Sequence, residues 1–486
     1  MRAANSSPNG STEISRPIQV TGPFRLELSR RAKTPLAEQI SNGIGKAVRE
    51  GRLEPGARLP SWRDLAAQLG VARGTVKTAY ERLIDDRLIV ASGPAGTHVS
   101  AEPRQPSSRE EDMAQASLAG FFAGFSQPPK LFQLGVPAQD AFPFKSWARI
   151  MARAARTVAA WPASYPDPRG EPELRREIAS YLALARGLHC APRQIFITGG
   201  YAGAIGLIAQ ALDLKGATAW VEEPGFPVTR KALELAGVAI APIDVDGEGL
   251  VVAQGIDKAR QAAVAVVTPG QQAPLGMVLS PQRREELIAW ARRAGAWIIE
   301  DDYLSELQLS GRAAPALASL DRDAQVIHFG SFSKTINPAL RLGFIVVPQE
   351  LIPRFGDIAA CLVPAANATA QHAIAEFMRD GHYLRHLRRM KKLYAARRDG
   401  LMALLRDVAP VEAMAGLAVL VRLPEGADDV GIVRQAIGLD MLPRALSPWH
   451  ATEPAQPGLL LSVTNAAGPG LEKTCAKLCE LIRSSS

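Results

Sequence analysis

Residues 329–334 read Phe-Gly-Ser-Phe-Ser-Lys, and Arg341 stands seven positions beyond Lys334. Small hydroxyls at Ser331 and Ser333 beside a guanidinium suit a phosphate dianion, because arginine offers a two-pronged charged donor and serine a compact neutral one. Held next to such an anion, Lys334 is placed to form an imine with an aldehyde on the same ligand. Upstream, Ile298-Ile-Glu-Asp-Asp-Tyr303 is a β-rich run ending in acids. That ending puts Asp301 at the carboxyl edge of a sheet, where open α/β folds bind ligands. A carboxylate there keeps a pyridine nitrogen protonated and turns the ring into an electron sink. Alone, each motif has an ordinary explanation, a surface lysine or a helix-capping aspartate; together they are hard to explain by packing.

Working outward, β-rich runs at Ile195 to Thr198, Ala219 to Glu222, Ala263 to Thr268, Trp297 to Glu300, Gln325 to Phe329 and Gly343 to Val347 alternate with helical stretches. This alternation predicts a mostly parallel sheet covered on both faces. The chain has 486 residues, beyond the roughly 250–300 at which single cores stop growing, so at least two folding units are expected. Its 47% hydrophobic and 21% charged residues are globular proportions and exclude global disorder, collagen and coiled coil. No apolar run approaches the ~18 residues of a membrane span, and the first twenty residues are polar, so a soluble, cytoplasmic protein is expected. The four cysteines, Cys190, Cys361, Cys475 and Cys479, lack the spacing of a disulfide framework or a zinc site, and no metal is expected.

The N-terminal part has a different pattern. Residues 1–30 are rich in Ser, Asn, Gly and Pro and read as a mobile arm. Leu36, Ile40, Ile44 and Val48 make one face of a first helix. Ser61-Trp-Arg-Asp64 has the form of a capping box and opens a second, which should stop at Gly70. A third, from about Arg73 to Asp86, buries Val76, Ala79, Tyr80 and Leu83 and turns Arg73, Thr75 and Lys77 outward. Leu88 to Val90 and Thr97 to Ser100 flank the turn Gly93-Pro-Ala-Gly96 as a hairpin. The result is a winged helix-turn-helix over residues 31–101. This stretch holds eleven Lys and Arg against seven acids within a chain of net charge +8, which suits a nucleic acid. Residues 102–130 read as a linker, with a docking helix expected near Met113 to Phe125, and 131–486 form the second domain.

Pro35-Leu36, Gln39-Ile40, Gly51-Arg-Leu53, Pro55-Gly56, Leu59-Pro-Ser61, Leu69-Gly-Val71, Arg73, Thr75-Val76, Tyr80, Leu83 and Gly96-Thr97 strongly resemble the GntR family of bacterial DNA-binding domains. The resemblance implies contacts to a double-stranded DNA operator through Arg63, Arg73, Thr75, Lys77 and Gly96. Gly74 and Trp62 depart from the family's usual small polar residue and serine. The second domain resembles pyridoxal-phosphate proteins of the fold type I aminotransferase superfamily. That likeness implies Lys334 as the Schiff-base lysine, Asp301 as the pyridinium partner and Tyr303 as donor to the ring 3-hydroxyl. Phe226 would stack on the ring, and Ser331, Ser333, Arg341 and the backbone of Gly200-Tyr201-Ala202 would cradle the phosphate. Tyr165 would reach the phosphate of a neighbouring subunit, so a homodimer is expected. A GntR reader joined to this fold is the arrangement of the MocR subfamily of transcriptional regulators.

The fold leaves sensor or enzyme open. Active relatives clamp a substrate carboxylate with an arginine in a late strand, yet Leu459-Leu-Leu-Ser-Val-Thr464 has none; Gln271-Gln-Ala-Pro-Leu-Gly276 also lacks the usual Asn. Arg444 and Arg422 are the candidates for an alternative anion site, shaped by Trp449-His450. The reading is an activator of nearby transport or catabolic genes. It senses an amine such as taurine or 4-aminobutyrate by transaldimination at Lys334. The alternatives are an active aminotransferase with a DNA-binding arm, or a regulator sensing pyridoxal phosphate itself.

Overall fold

The computed structural model describes residues 18–21, 24–26, 28–29, 34–49, 51–86, 88–91, 96–100, 128–161, 164–304, 307–309, 313–365, 367–406, 410–413, 417–453 and 455–484. The wing turn before Gly96, most of the expected arm and linker, and the docking helix expected at Met113 to Phe125 lie outside them. The chain divides into two compact units between Phe121 and Phe122.

In the first unit, α1 (Leu36–Arg49) buries Ile40, Ile44 and Val48, the residues spaced by four, together with Ala47. Each such large aliphatic side chain contributes about 1.5–3 kcal/mol when fully buried. Helix α2 (Trp62–Leu69) starts where Ser61 Oγ accepts from the Asp64 amide at 3.1 Å, and it stops at Gly70 with φ 61°. Helix α3 (Arg73–Asp85) buries Val76, Ala79, Tyr80 and Leu83, and the Tyr80 hydroxyl donates to the Pro60 carbonyl at 2.8 Å. Two features escaped the sequence reading. The first is an antiparallel hairpin, β1 (Ile18–Thr21) and β2 (Phe24–Leu26), inside the expected arm. It buries Leu26 against α1, where Gly43 leaves room: a Cβ there would lie 3.3 Å from Leu26. The second is the two-residue strand β3 (Arg58–Leu59), which pairs with the wing strand β5 (Thr97–Val99), itself paired with β4 (Ile89–Ala91).

In the second unit, eight strands form one sheet in the order β6-β13-β12-β11-β10-β7-β8-β9. They are β6 (Ile195–Thr198), β7 (Thr218–Glu223), β8 (Ala239–Asp246), β9 (Gly249–Leu250), β10 (Val264–Val267), β11 (Trp297–Asp302), β12 (Val326–Ser331) and β13 (Gly343–Val346). Strands β7, β8, β10, β11 and β12 run parallel; β13 is antiparallel to both its neighbours. The helices are α4 (Phe144–Ala159), α5 (Pro172–Arg186), α6 (Gly200–Ala211), α7 (Pro227–Leu235), α8 (Val252–Ala259), α9 (Pro281–Ala294), α10 (Ile352–Cys361), α11 (Ala368–Arg379), α12 (His382–Leu405), α13 (Asp429–Gly438) and α14 (Leu471–Ser484). The pleat sorts alternate residues into two layers. Ala219, Val221 and Ile299 pack with α6 and α10, whereas Trp220 and Ile298 pack on α9, with Trp220 stacked on Trp290 at 3.7 Å. A second, antiparallel sheet, β14 (Val411–Ala413), β15 (Ala418–Arg422), β17 (Gly458–Ser462) and β16 (Arg444–Ala445) in spatial order, completes the C-terminal lobe. No helix among the described residues is long and apolar enough to cross a membrane.

Candidate functional site

On the first unit, Arg63, Arg73 and Lys77 are exposed and Thr75 is half-buried. Ala72 gives α3 no side-chain cap, and its first turn carries no acid, so its leading amides suit a phosphate. Arg63 lies over the Trp62 ring at 4.8 Å, which gives the unusual Trp62 a role in holding that cation. Lys77 forms only an exposed i,i+4 pair with Glu81 at 3.7 Å, weak enough to exchange for a phosphate. Gly96 has φ +96°, and a Cβ there would sit 3.1 Å from Arg58 Nε. Arg58 is therefore a further exposed cation beside the wing; a two-residue strand is too short to have revealed it from periodicity.

In the second unit the carboxyl ends of β7, β10, β11 and β12 converge. Asp301 is 6% exposed, and its Oδ1 has no hydrogen-bond partner. Burial drives its carboxyl well above the usual range, with Asp302 and Glu222 reinforcing the shift and Lys334 opposing it. Lys334 is pushed down to about 8 by burial, against the pull of Asp301, and its amine donates to the Gly135 carbonyl at 3.3 Å. Burial also raises the half-buried Tyr303 phenol. Glu222, which the sequence reading passed over, accepts from the Thr268 amide at 3.0 Å and its hydroxyl at 2.5 Å. Burial lifts its carboxyl to about 7. Glu222, Phe226, Thr229, Thr268 and Asp301 line one small cavity. The Tyr201 hydroxyl bonds Thr229 Oγ1 at 2.7 Å, and the Tyr201 ring meets Phe226 edge-on at 5.9 Å.

Strand register assembles the anion cradle. Ser331 pairs with Gly343 and Gly343 with Thr198, so β12, β13 and β6 end side by side, and α6 begins at Gly200 two residues after Thr198. Gly200 has φ +74°, and a Cβ on it would come 3.9 Å from Arg341 Cζ. Arg341 is exposed, and among the described residues no carboxylate pairs with it. Ser331 Oγ accepts from the Ser333 amide at 3.1 Å, and Ala202 is exposed on the first turn of α6. An unpartnered buried carboxylate oxygen, a lysine with a lowered proton affinity and a cradle of small residues beside an arginine with no acid on it fit a phosphorylated pyridine aldehyde. Tyr165 stands fully exposed.

The two candidate effector arginines separate. Arg422 donates to Glu412 at 2.9 and 3.1 Å and to Gln456 at 2.8 Å, so a carboxylate shares its fork in this structure. Arg444 pairs across the sheet with Leu460, so the two side chains share a face. Leu460 and Leu446 on that face pack with Trp449, Phe226 and Tyr303, which brings Arg444 to the cavity side. A clamp unseen from sequence also appears. Arg230 donates to the carbonyls of Gly225 at 2.9 Å, Trp449 at 2.5 Å, Pro448 at 3.0 Å and His450 at 3.2 Å. Glu223 accepts from the amides of Ala451 at 2.7 Å and Thr452 at 3.1 Å. Behind Asp301, Glu300, Asp302 and His328 are metal-binding residue types. Glu300 accepts from the amides of Leu317 and Ala318 and pairs with His328, and Asp302 Oδ2 accepts from Arg186 Nε while Asp302 Oδ1 stays without a partner, so the three residues form a buried charge network on β11 and β12.

Residues 132–437 match the family described as "Aminotransferase class I and II", and residues 36–99 match "Bacterial regulatory proteins, gntR family". The chain is 33% identical over 453 residues to the "Probable rhizopine catabolism regulatory protein MocR" of Rhizobium meliloti, covering 90% of this chain and 91% of that protein. It is 32% identical over 386 residues to the "HTH-type pyridoxine biosynthesis transcriptional regulator PdxR" of Corynebacterium glutamicum, covering 79% and 82%. An archaeal alanine:glyoxylate aminotransferase superposes with a TM-score of 0.69 at 23% identity over 78% of this chain and 96% of that one, a likeness of fold alone. A GntR reader and an aminotransferase-type domain in one chain, aligned almost end to end with a MocR regulator, make this protein a member of the MocR-type GntR family of DNA-binding transcriptional regulators.

Proposed function

We propose that this regulator holds pyridoxal 5'-phosphate in its second domain and changes its action on an operator when a small amine reaches that site. The observation that carries the reading is the buried, unpartnered Asp301 Oδ1 in the same site as a lysine held near pH 8. When bound, the cofactor supplies an aldehyde carbon that exchanges one amine for another, the transaldimination reaction, and an electron-withdrawing ring. Asp301, whose carboxyl burial raises well above its usual range and whose Oδ1 has no partner, would face a ring nitrogen. Phe226 covers the ring face, Tyr303 donates to the ring hydroxyl, and Ser331, Ser333, Arg341 and the amides of Gly200, Tyr201 and Ala202 hold the phosphate. Lys334 is the amine that the effector displaces. Arg444 receives an anionic group on the effector, which makes taurine or 4-aminobutyrate suitable first compounds to test.

Tyr165, fully exposed, serves the partner in a cytoplasmic homodimer, and the regulated genes are transport or catabolic genes nearby, activated on binding. The effector shifts the two-state equilibrium only by its difference in affinity for the two states. The lack of an arginine in the late strand segment Leu459 to Thr464, near which active aminotransferases clamp a substrate carboxylate, favours a sensor over a multiple-turnover transaminase. The similarity to a pyridoxine-biosynthesis regulator supports a second reading, in which the vitamer itself is the signal. Lys334→Ala is expected to abolish the visible absorbance of purified protein and the amine-dependent promoter response. If both persist, the reading fails. Sustained amine-to-keto-acid conversion would favour the enzyme, and a response to pyridoxal phosphate but to no amine would favour the second reading.

A further inference from the structure

The 24-residue helix α12 carries Arg385, Arg388, Arg389, Lys391, Lys392, Arg397 and Arg398 against one acid, Asp399, and α4 carries Lys145, Arg149, Arg153 and Arg156 with none. Two helices thus hold eleven cations and one acid in a chain whose whole net charge is +8. The distribution on α12 is sharply sided. Tyr383, His386, Leu387, Met390 and Tyr394 are buried, while Arg385, Arg388, Arg389 and Lys392 are exposed at i, i+3, i+4 and i+7. Like charges at those spacings repel one another and weaken a helix. Acids neutralise Arg153, Arg397 and Arg398, through Glu376, Asp140 and Asp399. Among the described residues no carboxylate pairs with Arg388, Arg389, Lys392, Lys145 or Arg149.

From this pattern we infer that the exposed stripe Arg385, Arg388, Arg389 and Lys392 is a second DNA-contacting surface that binds phosphates of duplex DNA without reading its sequence. The stripe runs about 10 Å along the helix, a length over which one DNA strand presents about three phosphates. Three of its four α12 cations are arginines, the side chain whose fork matches a phosphate. The chain is already a DNA-binding regulator, so a polyanion of this kind is brought to it by the GntR reader. Such a surface adds affinity and salt dependence but no base preference.

The test uses the full-length, cofactor-bearing protein and a long mixed-sequence duplex between about 50 and 200 mM salt. The triple variant Arg388→Gln, Arg389→Gln, Lys392→Gln should retain the cofactor absorbance and flatten the slope of log affinity against log salt by about 2 to 3, at ~0.9 for each phosphate no longer neutralised. Lys231→Gln, Arg292→Gln, Arg293→Gln, equal in charge but elsewhere on the same domain, should leave it unchanged. An unaltered slope in the α12 triple, with a flattened one in Arg73→Ala, Lys77→Ala, would overturn the second surface while keeping the reader. Equal losses in both triples would also overturn it, as a general charge effect. A surface built instead for an acidic protein leaves the duplex slope at its wild-type value, and so overturns it too.

Discussion

The amine of Lys334 offers a prediction with a number attached. Burial holds it near pH 8 rather than at the ordinary 10.5. At pH 7 about one molecule in ten then carries the neutral, nucleophilic amine, against roughly one in 3,000 for a solvated lysine, a gain of about 300-fold in reactive form. Protein stripped of cofactor and mixed with pyridoxal phosphate should take it up at a rate that rises about tenfold per pH unit below the midpoint and levels off above about pH 8. The sign follows from the group: raising pH removes the proton that blocks attack, and burial lowers the pH at which that occurs. Stopped-flow absorbance across this range measures it. A rate that keeps climbing through pH 10 would mean that the amine is solvated, and the burial argument would be refuted.

Four other outcomes are expected. Arg73→Ala should weaken specific operator binding by roughly 1–3 kcal/mol in a band-shift titration and leave the cofactor spectrum intact. Gly74 is exposed, and a methyl group added at its Cα would meet nothing within 4 Å, so Gly74→Ala should stabilise the reader by about 0.5–1 kcal/mol in urea unfolding. Removing the Arg230 fork leaves carbonyls of the loop around Trp449 without their charged donor, so Arg230→Ala should cost about 2–3 kcal/mol and loosen effector binding in an absorbance titration. Tyr165→Phe chains mixed with Lys334→Ala chains should form hybrids with one intact site and recover part of the amine-induced spectral change; hybrids that form without recovery would contradict a shared site.

Local periodicity made much of this molecule legible. The spacing of Val76, Ala79, Tyr80 and Leu83 matches the buried face of α3, and Ser61 caps α2 through its Oγ, although the Asp64 carboxylate accepts from the Ser61 hydroxyl and not from its amide. The β-rich runs became β6, β7, β10, β11, β12 and β13, because strands buried on both faces read as continuous apolar stretches. What escaped depends on partners distant in sequence or on elements too short to show a period. Strand β8 contains Pro242 and sits near the sheet edge, where proline is tolerated but disguises a strand. The Arg230 clamp joins residues 219 apart, so no local pattern announces it. The partner of Arg422 escaped for the same reason: its charge was visible, but Glu412 came within reach only once β14 and β15 paired.

The claim on which the rest depends is a covalent link between the second domain's buried lysine and pyridoxal phosphate. Borohydride reduction of the full-length protein, followed by proteolysis and mass analysis, tests it directly. The account predicts a phosphopyridoxyl group on the peptide containing Lys334, lost in Lys334→Ala. Correctly folded protein that, after incubation with the vitamer, yields that peptide unmodified would contradict it.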